Sequence, residues 1–329
     1  MSAGRIALIV TLALAAPAAA AAQSLTAEAA MTGGLSTDGV SAAATQVRAF
    51  GEGPFGIRYF TEAAWARTGG ESDAFGAAYP YGGRLQAIET YGEWYAEGPV
   101  LAGVRAGRYR TPFGISTASD HAYNGFLRAP LIRYDNYYAL SNNFLEHGID
   151  VIAGVPRLSV EMSVGRPADV GTAVRREGTT RVVRVQGTVG SAIVGASHIR
   201  TEPYQPARYA FGRAEFSGLD VRWMYGGVQL RAEWLGGRPF DGTTTTGWYA
   251  DAIVHRRSMG PVTAVARIEQ LDYDTSPERA LHAARQTVGA RVRLPGGFTG
   301  QVNLLHHRGL QTQPRRTSVD IGLTYSVRR

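Results

Sequence analysis

Between Thr317 and Val327 the chain alternates without interruption. Val319, Ile321, Leu323, Tyr325 and Val327 are apolar, and Ser318, Asp320, Gly322, Thr324 and Ser326 between them are small or polar. Successive side chains of a β-strand point to opposite faces, so the pattern predicts a strand with one dry face and one wet face. The same period returns at Ile57–Ala66, Leu158–Gly165, Val228–Leu235, Val262–Glu269, Gly289–Leu294 and Gln301–Leu305. Less regular strands fit 25–33, 44–51, 85–96, 100–110, 147–155, 180–189, 192–200, 216–225 and 246–257. Together these make sixteen candidate strands.

The connections narrow the fold further. Short ones fall at Glu52-Gly53-Pro54, Glu97-Gly98-Pro99, Val155-Pro156-Arg157, Gly190-Ser191, Gly226-Gly227, Ser258-Met259-Gly260 and Pro295-Gly296-Gly297. Between them lie longer ones at 34–43, 67–84, 111–146, 167–179, 201–215, 237–245, 273–283 and 309–316. Short and long alternate along the whole chain. Outer-membrane barrels have this rhythm, with tight periplasmic turns and long outer loops, whereas a soluble sandwich has no reason to place every long loop at one end. In hydrocarbon an open sheet edge leaves unpaired N–H and C=O groups at several kcal/mol each, so the strands must close into a ring. About sixteen strands leave an aqueous interior.

Composition agrees. Arg5, the apolar run Ile6–Ala15, Pro17 and the small residues Ala20-Ala21-Ala22 read as an export signal over 1–22, too short to span a membrane, which leaves 23–329 as the barrel domain. The chain has no cysteine, so an exported fold rests on burial, lipid contact and strand pairing rather than disulfides. The net charge is +7, and every basic side chain other than histidine is arginine. Export removes nucleic acid from the partners such a charge suggests and leaves outer-membrane lipid and small anionic or neutral solutes. Aromatics near strand ends (Trp65, Trp94, Tyr95, Tyr109, Trp223, Tyr225, Trp234, Trp248, Tyr249 and Tyr325) fit interfacial girdles.

If the apolar set faces lipid, the alternate set faces the lumen. That set holds Arg58, Arg105, Arg184, Arg222, Arg231, Arg267 and Arg291, with Glu62, Glu161, Glu233 and Glu269. Arginine outnumbers carboxylate in it, which implies a mild anion preference, although neighbours such as Arg231 and Glu233 can instead pair and hold the wall. One long stretch, Thr111–Glu146, keeps no period and is too aromatic for a solvated linker. Counting connections makes it the third outer loop. Its Arg128, Arg133, Asp120, Asp135 and Tyr134 are the candidate constriction residues, since opposed arginine and aspartate across a narrow gap create a transverse field. The expected fold is all-β: a transmembrane antiparallel up-and-down β-barrel of about sixteen strands, with the long third outer loop folded into the lumen.

The run Gly107-Arg108-Tyr109-Arg110-Thr111-Pro112-Phe113-Gly114, where the long loop begins, resembles the strand-to-loop passage of the phosphate-selective porin O and P family. Val228–Trp234 and Gly247–Asp251 are similar to that family's late hairpin. The resemblance implies a sixteen-stranded, homotrimeric porin of a Gram-negative outer membrane. Two departures stand beside it. The phosphate-specific members line the pore with lysines, which this chain lacks, so phosphate specificity is not carried over. The usual barrel ends on an aromatic residue, whereas this chain ends Tyr325-Ser326-Val327-Arg328-Arg329.

Little in the sequence points to chemistry. The seven histidines show no metal-ligand spacing, and His306-His307 point to opposite faces of one strand. Neither Gly-x-Ser-x-Gly nor a Walker loop occurs. The expected function is therefore passive diffusion of small solutes, without catalytic residues, metal or cofactor. The alternatives are a non-conducting barrel that serves as an adhesin or structural anchor and, further off, a barrel hydrolase.

Overall fold

The structure is a computed structural model and describes residues 24–69, 85–96, 98–115, 126–133, 145–168, 178–202, 213–239, 244–274, 281–309 and 316–328. Sixteen strands occupy them: β1 (Ser24–Ser36), β2 (Ser41–Glu52), β3 (Arg58–Gly69), β4 (Gln86–Tyr95), β5 (Leu101–Arg110), β6 (Leu145–Val155), β7 (Leu158–Ala168) and β8 (Thr180–Val189). The second half runs β9 (Ala192–Thr201), β10 (Ala214–Tyr225), β11 (Val228–Arg238), β12 (Thr244–Val254), β13 (Val262–Asp274), β14 (Leu281–Arg293), β15 (Phe298–Arg308) and β16 (Thr317–Arg328). Each strand pairs antiparallel with its neighbours in sequence, and β1 pairs with β16 from Glu28↔Arg328 to Ser36↔Asp320, closing the ring. The strands run 10 to 13 residues, enough to cross a bilayer at a tilt.

Burial follows the two-residue period. On β13 Ile268 is 50% exposed between Arg267 and Glu269, both buried. On β16 Ile321 and Leu323 are exposed while Ser318 and Asp320 are buried. The apolar set therefore forms the outer surface and the polar set points inward, as lipid on one side and water on the other require.

At one end the hairpins are tight. Gly226 and Gly227, both with positive φ (58° and 79°), make the two-residue turn between β10 and β11, a geometry in which side chains are disfavoured. At the other end lie the longest connections, although those between β1 and β2, β11 and β12, and β13 and β14 are only four, five and six residues. The stretch expected as a loop at 34–43 is mostly strand, and the turn is only Thr37–Val40. Gly34 falls inside the expected loop, yet it pairs with Ala42 as Gly33 does with Ala43, and the ladder stays intact to Leu35↔Ser41.

Three expected girdle aromatics, Tyr95, Tyr109 and Tyr249, point the other way. Tyr109 and Tyr249 face inward and are buried, because their hydroxyls find partners there: Ser163 at 2.9 Å and Glu233 at 3.1 Å. Tyr225, Phe298 and Tyr325 are exposed on the outer face beside the tight turns, with the last two rings 5.0 Å apart, and fit an interfacial belt.

A direct check of the two faces uses adjacent residues of β13. Ile268→Arg should cost roughly 2–4 kcal/mol of folding stability, the mid-bilayer value for an outward arginine, although Arg267 next to it is tolerated. Urea titration of folding into vesicles measures it, and a change under about 0.5 kcal/mol would contradict the assignment of faces.

Candidate solute channel and its constriction

The long loop after β5 turns into the barrel. Phe113 and Ile115 at its start, and Ala129, Leu131 and Ile132 further on, share one buried cluster with inward residues of the wall, among them Val182, Ile199, Phe216, Leu235, Tyr249 and Leu271. Leu127 joins a second cluster with Ala42, Ala44, Ala64, Ala66 and Ile88. Each fully buried aliphatic or aromatic side chain contributes about 1.5–3 kcal/mol, so these contacts draw the loop onto the wall. Glycine makes the approach possible. A Cβ on Gly218 would lie 2.9 Å from the Phe113 ring, and one on Gly114, whose φ is +60°, would strike the Glu233 carboxylate.

A backbone brought into the lumen needs hydrogen-bond partners, and side chains of the wall supply them. The Gly114 N–H donates to Ser197 Oγ on β9 at 3.2 Å, and the Leu127 N–H to Asn303 Oδ1 on β15 at 3.2 Å. Leu131, opening a single 3-10 turn (Leu131–Arg133), donates its N–H to Glu269 at 2.6 Å. Arg267 donates to the carbonyl of Arg128 at 3.0 Å and Arg285 to that of Ala129 at 2.6 Å. Carboxylates hold both guanidinium groups in turn: Asp251 at 2.6 Å from Arg267, and Glu269 at 2.7 Å from Arg285.

Arg128 is the centre of the clamp. It is 2% exposed and makes a two-pronged pair with Asp320 on β16 at 2.6 and 2.7 Å. It also reaches Asp38 at 3.2 Å, Ser36 at 3.0 Å and Ser318 at 3.3 Å. Its charge is thus spent against the wall. Of Arg133 only the backbone is described, and Asp120, Tyr134 and Asp135 lie outside the described residues.

The arginines expected along the wall all sit at inward positions, and most are paired. Arg184 meets Asp220 at 2.8 Å, Arg231 meets Asp251, and Arg105 meets Glu93 and Asp150 at 3.5 Å each. Arg222 donates to Gln186 at 2.9 Å, Arg58 stacks over Tyr95, and Arg291 stands between Thr263 and Gln301 in register. Sequence reasoning left out the inward carboxylates Glu89, Glu93, Asp150, Asp220, Asp251 and Asp320 and the inward basic residues Arg48 and Arg285. Parity held the signal: Asp220 is two residues from Arg222, and Asp320 belongs to the polar set of the last strand. With these added, the arginine excess along the lumen disappears.

The flank away from the clamp remains the wetter one. Arg48 and Arg105 each keep 21% of their side-chain surface, against 2% for Arg267 and none for Arg285. There Glu62 takes Arg48 at 2.7 Å and Arg110 at 2.8 Å, and Glu89 takes Arg110 at 3.1 Å.

No protein-family model matches the sequence, and no curated protein matches it. Solved structures do resemble the fold. OmpF of Salmonella typhi, solved in complex with daunomycin, aligns with a TM-score of 0.68 at 13% identity, over 92% of this chain and 97% of that one. A loop L8 deletion mutant of OmpT, an outer membrane protein of Vibrio cholerae, gives 0.60 at 9% identity over 92% and 98%. A mutant Rh. blastica porin gives 0.54 at 12% over 92% and 99%. These likenesses establish the fold, a closed sixteen-stranded barrel of the kind found in general porins. They do not single out the phosphate-selective family.

The clamp can be tested by removing one side of it. Asp320→Asn should loosen the loop, since breaking a buried ion pair costs about 3–5 kcal/mol and the loop has few other charged anchors on β16. Single-channel recordings should then show frequent transient closures or a shifted mean conductance, with heat-modifiable gel migration unchanged. Quiet channels of wild-type conductance would count against the clamp.

Proposed function

We propose that this chain is an outer-membrane porin: a water-filled channel for passive diffusion of small solutes, narrowed by the loop at 111–146. The observation that carries the reading is the loop packed inside a ring of sixteen strands, pinned to the wall by Arg128, Arg267, Arg285 and Glu269. A ring of this size leaves a lumen that its own side chains do not fill, and an inward loop converts that lumen into a size filter. Residues 1–22 serve as the export signal and 23–329 as the barrel, placed in the outer membrane of a Gram-negative bacterium. Kinship with the phosphate-selective porins rests on the short runs Gly107–Gly114, Val228–Trp234 and Gly247–Asp251. A homotrimer is proposed from the same resemblance, and the exposed apolar side chains Leu25, Met31 and Leu35 on the outward face of β1 give it a surface to bury.

Charge preference is mild and anionic in this reading. Paired arginines contribute little net field, so the preference rests on wall arginines such as Arg58 and Arg222, for which no carboxylate lies within ion-pair distance among the described residues. Arg133, Asp120, Asp135 and Tyr134 are proposed to complete the constriction from the loop side. No chemistry is proposed for the barrel.

Reconstitution into planar bilayers under a salt gradient tests both levels. Discrete conductance steps are expected, with a reversal potential of the sign for anions. Arg58→Gln combined with Arg222→Gln should move that potential toward zero. Membrane insertion without conductance would favour an anchor or adhesin, and a cation-signed potential would remove the anion preference while leaving the channel.

A further inference from the structure

One group of basic residues has no part in the lumen. On β7 Arg166 shares the outward face with Met162 and Val164, and on β8 Arg181 shares it with Val183 and Val185. Arg200 on β9 stands directly opposite Arg181, and His147 on β6 directly opposite Arg166. Arg108 on β5 is opposite His147 in turn. Arg181 faces Val164, so Arg166 is its diagonal neighbour. A basic row therefore crosses five consecutive strands, four spacings of about 4.8 Å or roughly 19 Å in all.

Every member stands within two residues of its strand's end on the side of the longer connections. That places the row at the membrane interface, where an outward arginine costs about 0–1 kcal/mol rather than the midplane value. His147, Arg166 and Arg181 are exposed and Arg200 partly so. Among the described residues, Arg166, Arg181 and Arg200 have no carboxylate partner within ion-pair distance. Of the acids beside them, Glu215 opposite Arg200 lies instead against Arg213 at 3.8 Å and His198 at 3.6 Å, and Glu202, two residues along from Arg200, makes no ion pair with the row among the described residues. Arg181 and Arg200, like charges directly opposite on one sheet face, repel, and an anion between them relieves that repulsion.

We propose that this row is a docking surface for the phosphate groups of a phosphorylated glycolipid in the outer leaflet around the barrel. The surface offers guanidinium groups, which bind phosphate through paired, charge-assisted hydrogen bonds, above a belt of exposed Val and Met side chains that fits acyl chains. Charge and apolar surface follow one another in the order in which a lipid carries phosphate and tail. A lipid bound there braces β6–β9 from outside, on the strands flanking the start of β6 where the constriction loop returns to the wall. The inference rests on the outer-membrane reading above.

The test uses the purified full-length barrel in detergent, with diphosphoryl lipid A as probe and its dephosphorylated form as control, read by native mass spectrometry. Wild type should retain the diphosphoryl lipid and not the control. The triple variant R166Q/R181Q/R200Q should bind it at least about tenfold more weakly, a loss of at least 1.4 kcal/mol, while R157Q/R256Q/R257Q at the tight-turn end binds as wild type does. Equal retention by wild type and the first variant, or equal loss in both variants, overturns the proposal. So does a change in subunit number with lipid retention intact, which would make the row an interface between copies. Planar-bilayer conductance of the same samples separates the two readings: conducting wild-type barrels without lipid retention sink only the lipid site, and wild-type barrels that do not conduct sink the channel.

Discussion

A peptide group inside hydrocarbon has nothing but another peptide group to bond with. In this chain that constraint is met by the seam between β1 and β16, which pairs the first strand to the last over Glu28–Ser36 and leaves the ring without an open edge. Everything else depends on closure. A closed ring has an inside and an outside, and a strand has only two faces to divide between them. The alternation of Ile268 with Arg267 and Glu269 is thus the local signature of a global ring.

Closure also creates a difficulty that the long loop resolves. Sixteen strands enclose more room than wall side chains fill, and a segment that enters brings polar backbone with it. Wall residues are arranged to receive it. Arg267 and Arg285 present N–H groups to the carbonyls of Arg128 and Ala129, and Glu269 accepts from Leu131. Hydrogen bonds with a charged partner contribute about 1.5–3 kcal/mol each, and apolar contacts of Phe113, Leu131 and Ile132 add to them. The loop is held by chemistry distributed over β8 to β16 and round the seam to β1–β4, which is why its position is a property of the whole wall.

This division explains what the sequence discloses. Strand alternation and the spacing of turns are local, so the sixteen strands, the closed ring and the place of the third loop are legible from composition and period alone. Partnerships across the lumen are not. Arg128 and Asp320 are 192 residues apart and meet only once strand order and register are known. Arg128 therefore reads in sequence as a charge lining a gap, while in the fold it is a buried fastener. The inward tyrosines follow the same logic: Tyr109 and Tyr249 look like interface aromatics until their cross-strand neighbours supply hydroxyl partners. Where glycine is concerned, the ladder of β1 and β2 runs on past Gly34, inside the expected loop, because each residue there still finds its partner.

Net charge is the quantity most easily misread in such a barrel. The chain carries +7, and a list of inward arginines makes the lumen look positive. Counting partners changes the picture, because Asp220, Asp251, Glu269 and Asp320 each neutralise an arginine within 3 Å. A pair this close acts at a distance as a dipole, whose field falls away faster than that of a single charge, and it orders a solute more than it selects one. Since the named lumen networks are close to balanced, surplus basic charge is expressed at surfaces that lack such partners. The outward arginines Arg166, Arg181 and Arg200 form one of them. The positive balance of this chain thus bears at least as much on the membrane around the barrel as on the solutes passing through it.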